Sequence, residues 1–401
     1  MPNNNLPLFV IKKNLQKSSQ TGIFFDQVVT KSILADVCQK ILGINKFNVL
    51  YVDNDYHDRF VPKGYNKGRL AVLYYGNDIH FISFSEKDIG GRNSSIQSVP
   101  TAFNMFYLTN ATHKHLHYYF INQTGNAQTD YQILMYRLMK TIGFKFLNDD
   151  IALSQSIQAF LSIDDIMNYR RQTSQRNQSN NSTYITKSER RKYDIYGKTY
   201  GANKYETSLM CYALSKLAKA QQILTLYEVS EGDLIELPEI VRRIIVDMGN
   251  IQIIPTDMQL ERREFTEHNS LRSPRYIFNL LEHLGEKHCA FCNCKIPEII
   301  QGAHIWPVSQ IKNIHSLSQD QKLEHAISGH NGLWLCENHH KMFDEGMISI
   351  SSDGRLIYAD NLPSSYIDFM DETTATTMLP PEVLTDQFRF YLSQRNISFA
   401  N

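Results

Sequence analysis

The sequence predicts a multidomain α+β protein, and three observations lead to this prediction. The chain has 401 residues, more than a single hydrophobic core usually organises. From Leu6 to Ile163, runs that read as strands, such as KFNVLYV and LAVLYYG, alternate with amphipathic helical runs, such as QILMYRLMKTIGFKFL. Near the C-terminus, four of the six cysteines fall between Cys289 and Cys336, and such clustering is typical of a small module stabilised by metal.

Composition limits the partners and the location. The 41 basic residues balance the 41 acidic ones, so a polyanionic partner would have to be met by a local patch of charge. The first residues, MPNNNLPLFVIKKN, lack the apolar core of a secretory signal. No run reaches the roughly 18 apolar residues that a membrane-spanning helix needs. We therefore expect a cytoplasmic protein with no membrane partner.

The best domain boundary follows residue 168, the predicted end of an α+β domain. The stretch YRRQTSQRNQSNNSTYITK, from Tyr169 to Lys187, is rich in Gln, Asn and Ser and cannot bury enough apolar surface to order itself. Beyond it, ETSLMCYALSKLAKAQQIL reads as a helix, and RSPRYIFNLLEHLG reads as another that ends at Gly285. Residues 169–285 are therefore predicted to form a basic linker and a helical region.

Residues 170–204 carry a concentration of positive charge. Nine basic residues stand against two acidic ones, a net charge of +7; four tyrosines are interleaved with them, and Tyr205 follows directly. Basic side chains bind phosphates and aromatic rings can stack on bases, so this segment is a candidate nucleic-acid contact surface. A solvated linker joined to the charged face of a helix would give the same pattern, and the sequence leaves both interpretations open. The residues expected to contact nucleic acid are Arg170, Arg171, Arg190, Arg191, Lys192 and Lys198.

The cysteine cluster has the spacing of a zinc site. Cys289 and Cys292 form a C-x-x-C pair, and Cys336 and His339 form a C-x-x-H pair 44 residues later. Two such pairs supply the four nitrogen and sulfur ligands of a closed tetrahedral zinc site. Two alternatives stay open, because Cys294 could replace Cys292 and His288 could also serve as a ligand.

A second set of polar residues surrounds the later pair. The run GAHIWP, preceded by two isoleucines, reads as a strand that ends in a turn and fixes the position of His304. A polar loop leads to Asn331, the short strand GLWLC and a predicted helix from Glu337 through Glu345. Neighbouring side chains on a helix point about 100° apart, so the adjacent His339 and His340 are expected to serve two sites.

This order of strand, loop, strand and helix resembles the HNH nucleases. Their ββα-metal motif has a histidine on the first strand, an asparagine opening the second and a histidine on the helix, which correspond here to His304, Asn331 and His340. The segment LCENHHKMF is similar to the zinc-bound variant of the family, in which a C-x-x-C pair precedes the catalytic histidine. His339 stands where the second cysteine would be, a swap that zinc tolerates.

The resemblance implies metal-dependent hydrolysis of a phosphodiester. His304 would be the general base, since an imidazole with a pKa near ~6.5 is partly neutral at cell pH. His340 would hold a catalytic Mg²⁺ or Mn²⁺ ion at the scissile phosphate. Asp344, one helical turn further along the same face, is the expected carboxylate ligand of this ion. Asn331 would tie the loop and so orient His304.

One position departs from the family pattern. Many HNH nucleases carry a metal-binding aspartate or histidine just before the general base, and here that position is Ala303. The catalytic metal must then rely on Asp344, on Glu345 or on another residue. A variant of the family with Ala-His-Ile-x-Pro and a later Phe-Asp pair is similar to HIWP and MFDEG in this chain.

The resemblance covers about Cys289 to Asp360 and completes the predicted architecture. A mixed N-terminal region precedes a C-terminal ββα-metal module, with the zinc-stabilised nuclease at residues 286–360 and a C-terminal extension at 361–401. Between Cys289 and Asp360, five basic and eight acidic residues give a net charge of −3, which cannot by itself attract DNA well. DNA recognition or dimerisation is therefore expected from residues 1–168, and further DNA contact from 169–285.

The expected function is that of a type II restriction endonuclease, which such an arrangement most resembles. It would cleave double-stranded DNA at or near a short specific sequence, using a structural Zn²⁺ and a catalytic Mg²⁺ or Mn²⁺. Because one HNH site cuts one strand, we expect a homodimer, at least transiently. Two alternatives remain: a modification-dependent HNH endonuclease, and a zinc-stabilised DNA-binding protein without catalysis.

Overall fold

The computed structural model describes most of the chain, which divides into two compact units. The described residues are 6–12, 29–52, 70–85, 96, 98–121, 130–148, 157–174, 182–189, 192–232, 234, 237–249, 251–268 and 273–399. The first unit comprises Met1–Thr183, Lys198–Gln222 and Glu236–Ile253, and the second comprises Tyr184–Gly197, Ile223–Ile235 and Ile254–Asn401. Each unit thus combines separate stretches of sequence. The domain boundaries drawn at residues 168, 285 and 360 stay predictions.

The first unit contains a six-stranded sheet and several helices. The described strands are β1 (Leu8–Lys12), β2 (Asn48–Val52), β3 (Leu70–Tyr75), β4 (Asp78–Ser85), β5 (His113–Phe120) and β6 (Phe144–Phe146). The described helices are α1 (Lys31–Leu42), α2 (Val99–Leu108), α3 (Asp130–Ile142), α4 (Ile163–Ser174), α5 (Asn203–Leu217) and α6 (Glu239–Met248).

This sheet is mixed, with strand order β2-β1-β3-β4-β5-β6. Strand β1 runs parallel to β2 and antiparallel to β3, β3 and β4 are antiparallel, and β4, β5 and β6 are parallel to one another. Apolar side chains from β1, β3 and β4 pack against Leu34, Val37 and Cys38 of α1 to form a core. The predicted combination of helices and strands in more than one domain is therefore confirmed.

The polar stretch from Tyr169 to Lys187 is more ordered at its ends than its composition predicts. Its first residues complete α4, where the Tyr169 ring packs edge-to-face on Phe160 and the Tyr169 hydroxyl donates to the Asp130 carbonyl at 3.2 Å. Its last residues begin strand β7 at Thr183, and residues 175–181 lie outside the described part of the chain. Tertiary packing supplies the order that a window of sequence does not reveal.

The second unit contains most of one four-stranded sheet and two smaller sheets. Strands β7 (Thr183–Glu189), β8 (Lys192–Lys198), β9 (Ile223–Val229) and β10 (Ile251–Thr256) form a sheet in the order β10-β9-β8-β7, which includes the segments Tyr184–Gly197 and Ile223–Ile235 of this unit. The later strands pair as β11 (Ile300–His304) with β12 (Gly332–Cys336) and β13 (Ile348–Ile350) with β14 (Leu356–Tyr358). The helices are α7 (Met258–Glu267), α8 (Pro274–Leu284), α9 (Val308–Lys312), α10 (Gln319–Ile327), α11 (Glu337–Asp344), α12 (Ser364–Thr373) and α13 (Asp386–Phe399).

The elements around the predicted nuclease motif follow the sequence closely. Helix α8 begins after Ser273, whose hydroxyl accepts from the Tyr276 backbone N–H at 3.0 Å, and it ends at the predicted Gly285. Strand β11 ends at His304, and antiparallel β12 is the predicted GLWLC. Helix α11 follows β12 directly and packs against both strands. This is the strand, loop, strand and helix order that the residues predicted.

No helix in the described part of the chain combines the length and apolar character needed to cross a membrane.

Candidate active site and metal centre

The four side chains predicted to bind zinc come together in the second unit. The donor atoms of Cys289, Cys292, Cys336 and His339 all lie within 4.8 Å of one another. The Sγ atoms of Cys292 and Cys336 are 3.7 Å apart, and His339 Nδ1 lies 3.6 Å from Cys289 Sγ and 3.2 Å from Cys336 Sγ. Tetrahedral Zn²⁺, with bonds of ~2.3 Å to sulfur and ~2.1 Å to nitrogen, sets its ligands about 3.6–3.8 Å apart. The donor set and its spacing therefore fit a closed zinc site.

The two alternative ligands lie differently. Cys294 folds the loop back, since its carbonyl accepts from the Cys289 N–H at 3.0 Å. His288 is exposed, and its Nδ1 lies 2.9 Å from the carbonyl of Glu286. Neither side chain belongs to the four-ligand cluster found among the described residues.

Residues outside the cluster fix the orientation of its histidine. His339 is buried, and its Nε2 lies 3.1 Å from Thr374 Oγ1. A histidine that binds metal through Nδ1 carries its proton on Nε2, so with zinc bound this N–H would donate to the threonine hydroxyl. The C-x-x-C loop is also tied to its surroundings, because the Ala290 N–H donates to the Trp334 carbonyl at 2.9 Å. The cluster thus joins the loop, the end of β12 and the segment after α12.

His304 is held at the end of β11 by two contacts. Its Nε2 lies 2.9 Å from the carbonyl oxygen of Ala326, and a carbonyl can only accept, so Nε2 carries the ring proton. The imidazole stacks on the Tyr276 ring, with centroids 4.1 Å apart and planes 11° apart. These contacts leave Nδ1 as the proton-accepting nitrogen of a half-buried imidazole.

The surroundings of His304 favour its neutral form. Burial lowers the pKa of His304 to about 4, the hydrogen bond to Ala326 raises it, and the nearby His340 lowers it. The imidazole is therefore neutral at pH 7 and able to accept a proton. The sequence alone predicted only partial neutrality from the unperturbed value.

Two glycines in the β11–β12 hairpin make room for Tyr276. A Cβ at Gly332 would meet Tyr276 Oη at 2.2 Å, and a Cβ at Gly302 would meet Leu280 Cδ1 at 2.5 Å and Tyr276 Cε1 at 3.1 Å. Gly332 is the strand partner of His304. Helix α8 therefore approaches the hairpin closely enough to place an aromatic ring on the imidazole.

Asn331 ties together the chain segments on either side of His304. Its Oδ1 accepts from the Trp306 N–H at 2.8 Å, and its Nδ2 donates to the carbonyls of Trp306 at 3.2 Å and His325 at 3.1 Å. The side chain is fully buried. It fixes the turn after β11, as expected for a residue that orients His304.

The adjacent histidines of α11 face different partners. His340 Nε2 lies 3.3 Å from Asp344 Oδ2, one helical turn away, and both side chains reach solvent. Glu345, the other carboxylate considered for the metal, instead pairs with Lys341 at 2.5 Å. An imidazole nitrogen beside a carboxylate oxygen is a donor pair that suits a divalent cation. His339 therefore faces the cysteines, whereas His340 faces Asp344.

A comparison with known families identifies this part of the chain. The sequence model described as HNH endonuclease matches residues 289–351. These residues form an HNH endonuclease domain. The matched range starts at Cys289 and includes His304, Asn331 and His340, so the predicted family resemblance is confirmed for the domain. No protein with a curated description matches the chain.

The basic residues predicted to contact DNA occupy different environments. Arg170 is buried and forms a 2.7 Å ion pair with Glu206, which is also buried. Arg171 is exposed, and Lys192 and Lys198 are half-buried. The remaining two, Arg190 and Arg191, lie outside the described residues. The burial of Arg170 is that of a structural ion pair and not of a surface contact, because its charge is met inside the first unit.

Several residues that shape the HNH domain site were missed by sequence reasoning. Tyr276 lies upstream of the matched range, and its amphipathic helix signalled a buried face without naming what that face covers. Thr374 lies in the predicted C-terminal extension, where no motif pointed to it. The Ala326 carbonyl is a backbone group that no sequence pattern could have singled out. All three are contributed by tertiary contacts.

Proposed function

We propose that this protein is a type II restriction endonuclease that hydrolyses double-stranded DNA at His304. The observation that carries the proposal is the single hydrogen bond from His304 Nε2–H to the Ala326 carbonyl, which leaves Nδ1 of a neutral imidazole as the base. A histidine that acts as general base must be unprotonated and held in place before the reaction begins.

Each polar residue of the HNH domain site has a separate role in the proposed hydrolysis. His304 Nδ1 accepts a proton from water as the water oxygen bonds to phosphorus; the bond between phosphorus and the leaving oxygen breaks, and that oxygen takes a proton from solvent water. His340 and Asp344 would hold Mg²⁺ or Mn²⁺, which supplies charge neutralisation at the phosphate. Asn331 keeps the turn after His304 in place.

The zinc cluster supports this site without taking part in the chemistry. Zn²⁺ held by Cys289, Cys292, Cys336 and His339 leaves no open position for a substrate. Because His339 and His340 are neighbours, the ion would fix the first turn of α11 and with it the position of His340. This role fits the coordination chemistry of a structural site.

Two features support the restriction subtype: the negative net charge of the HNH domain and the length of the chain upstream of it. The domain has a net charge of −3 between Cys289 and Asp360, while nearly three quarters of the chain lies upstream. DNA binding and specificity are therefore assigned to the upstream residues, with Arg171, Lys192 and Lys198 as phosphate contacts together with Arg190 and Arg191. One site cuts one strand, so duplex cleavage would use two copies of the chain.

Plasmid cleavage tests the proposal. Zinc-loaded protein is incubated with unmethylated and methylated plasmid in Mg²⁺ or Mn²⁺, beside the His304→Ala variant. We expect discrete fragments from the unmethylated plasmid, and a loss of about 10²–10⁴-fold in rate for the variant. Cutting of methylated plasmid alone would indicate a modification-dependent enzyme, and binding without cutting would indicate a DNA-binding protein. Cleavage by the variant at the wild-type rate would remove His304 from the role of base.

A further inference from the structure

Helix α13, in the predicted C-terminal extension, sends an arginine into the HNH domain. The Arg395 side chain is only 2% exposed. Its Nη1 donates to the Ile305 carbonyl at 3.1 Å, its Nη2 donates to the Phe343 carbonyl, and its guanidinium carbon lies 3.7 Å from the centre of the Phe343 ring. One buried cation thus contacts two separate elements.

The two carbonyls belong to the segments that carry the proposed chemistry. Ile305 directly follows His304 at the end of β11. Phe343 directly precedes Asp344 and stands three residues after His340 in α11. The planar guanidinium therefore spans the end of the base-bearing strand and the metal-binding helix, and the fixed angle between its N–H groups sets their spacing.

Stability by itself does not require a charge at this place. Burial lowers the pKa of Arg395 to about 10, while the nearby Asp344 raises it, so the group stays charged at neutral pH. A buried cation is costly to desolvate, and apolar side chains of similar size often replace such groups without loss of stability. The arrangement of two directed hydrogen bonds is what an apolar side chain could not reproduce.

We propose that Arg395 is a positioning residue that holds His304 at a fixed distance from His340 and Asp344. The inference rests on the proposed function, since it assigns these three side chains to one reaction. It also makes the C-terminal helix part of the catalytic unit, although the family match ends at residue 351.

Two substitutions at Arg395 are compared with the same changes at a matched position. Arg395→Lys keeps the positive charge but loses the planar pair of N–H groups that reaches both carbonyls. Arg395→Met keeps the apolar packing on Phe343 but has no hydrogen-bond donor. The control is Arg389, which lies on the same helix and donates to the carbonyl of Ser352, a residue in neither β11 nor α11. The Arg389 side chain is exposed, so Arg389→Lys and Arg389→Met should leave the site unchanged.

Two readouts are taken on zinc-loaded protein. The first is cleavage, where we expect Arg395→Lys to lower kcat by about 10–100-fold, because small misplacement of reacting groups costs that much, with KM for DNA unchanged. The second is Mn²⁺-induced broadening of the His304 imidazole resonance in histidine-labelled protein, which depends steeply on the distance between metal and ring. We expect the broadening to change in both Arg395 variants and in neither Arg389 variant.

The two readouts separate the failure of this inference from failure of the proposed function. Wild-type protein that cleaves, with an Arg395→Lys variant of equal kcat and equal broadening, would overturn the positioning role alone. A wild-type protein that does not cleave, but whose His304 broadening depends on Arg395, would leave the positioning role standing and remove the nuclease function. Equal losses of kcat in the Arg389 and Arg395 variants would also overturn the positioning role. If Arg395→Met fails to fold, the comparison of Arg395→Lys with Arg389→Lys tests the proposal.

Discussion

Adding one methyl group at Gly332 tests the packing that places Tyr276 against His304. Gly332 has extended backbone angles, φ −159° and ψ 164°, that alanine also adopts, so any effect of Gly332→Ala comes from the side chain. The new methyl would meet Tyr276 Oη at 2.2 Å and Leu280 Cδ2 at 2.7 Å. These contacts are well inside van der Waals distance, and such overpacking costs about 1–3 kcal/mol.

A second substitution makes the prediction specific. Tyr276 Oη is buried and has no hydrogen-bond partner among the described residues, so Tyr276→Phe alone should stabilise the domain by about 1 kcal/mol. Combined with Gly332→Ala, it removes the 2.2 Å contact and leaves Cζ at 3.1 Å. We therefore expect the double variant to recover at least half of the stability that Gly332→Ala loses, a coupling of about 1–2 kcal/mol.

The assay follows urea unfolding of zinc-loaded protein by tryptophan fluorescence. The chain has two tryptophans, Trp306 and Trp334, and both lie in the HNH domain, so the signal reports on this domain. The matched control is Gly302→Ala, whose methyl meets Leu280 Cδ1 at 2.5 Å and the Tyr276 ring edge but not Oη. Tyr276→Phe should raise the stability of this variant only by the ~1 kcal/mol that it adds to the wild type, with no coupling. Equal coupling of Tyr276→Phe to both glycine substitutions, or coupling to neither, would refute the proposed packing of Tyr276 on the hairpin.

Three further predictions concern the metals and the base. Asp344→Asn should raise the Mg²⁺ concentration needed for half-maximal cleavage at least tenfold, because a neutral amide binds a hard cation weakly; an unchanged metal dependence in the plasmid assay would exclude Asp344 as a ligand. Cys336→Ser should lower the zinc content and bring the tryptophan-monitored unfolding to lower urea, because structural zinc binding contributes to folding; full zinc occupancy by elemental analysis would contradict the ligand assignment. Since the pKa of His304 is about 4 in the folded state and ~6.5 when unfolded, only the unfolded chain gains this proton as the pH falls from 6.5 to 4. Stability due to His304 is thus fully present above pH 6.5 and decreases by up to about 3 kcal/mol over this range. Unfolding curves of His304→Gln should lack this part of the acid sensitivity; an equal pH dependence in both proteins would contradict the burial of the ring.

Residue spacing predicted which side chains of the HNH domain cluster. The C-x-x-C and C-x-x-H pairs predicted four ligands that the fold brings within 4.8 Å of one another. The adjacent His339 and His340 predicted two sites, because side chains on a helix diverge by a fixed angle. Local geometry explains the spacing within each pair and the divergence of His339 from His340, whereas tertiary packing brings the two pairs together across 44 residues of sequence.

Composition was less informative about side chains whose environment depends on contacts distant in sequence. The charge of residues 170–204 led to the prediction that Arg170 contacts nucleic acid together with its basic neighbours. The Arg170 guanidinium is instead buried against Glu206, 36 positions away in the chain. The residues at both ends of the polar stretch from Tyr169 to Lys187 belong to regular elements. A count of charges within a window cannot distinguish a side chain that meets solvent from one that meets a distant partner.

By itself, the sequence determined the family of the HNH domain, the four residues that cluster as candidate zinc ligands, and the strand and helix that carry His304 and His340. Only the tertiary structure determined the protonation, orientation and spacing of those groups. The proton on His304 is placed by a backbone carbonyl in α10, its ring plane is set by Tyr276 of α8, and the spacing of its strand from α11 is bridged by Arg395 of α13. The physical reason is that ligand identity follows from side-chain chemistry at short intervals, whereas orientation and pKa depend on which distant atoms exclude water and supply hydrogen bonds.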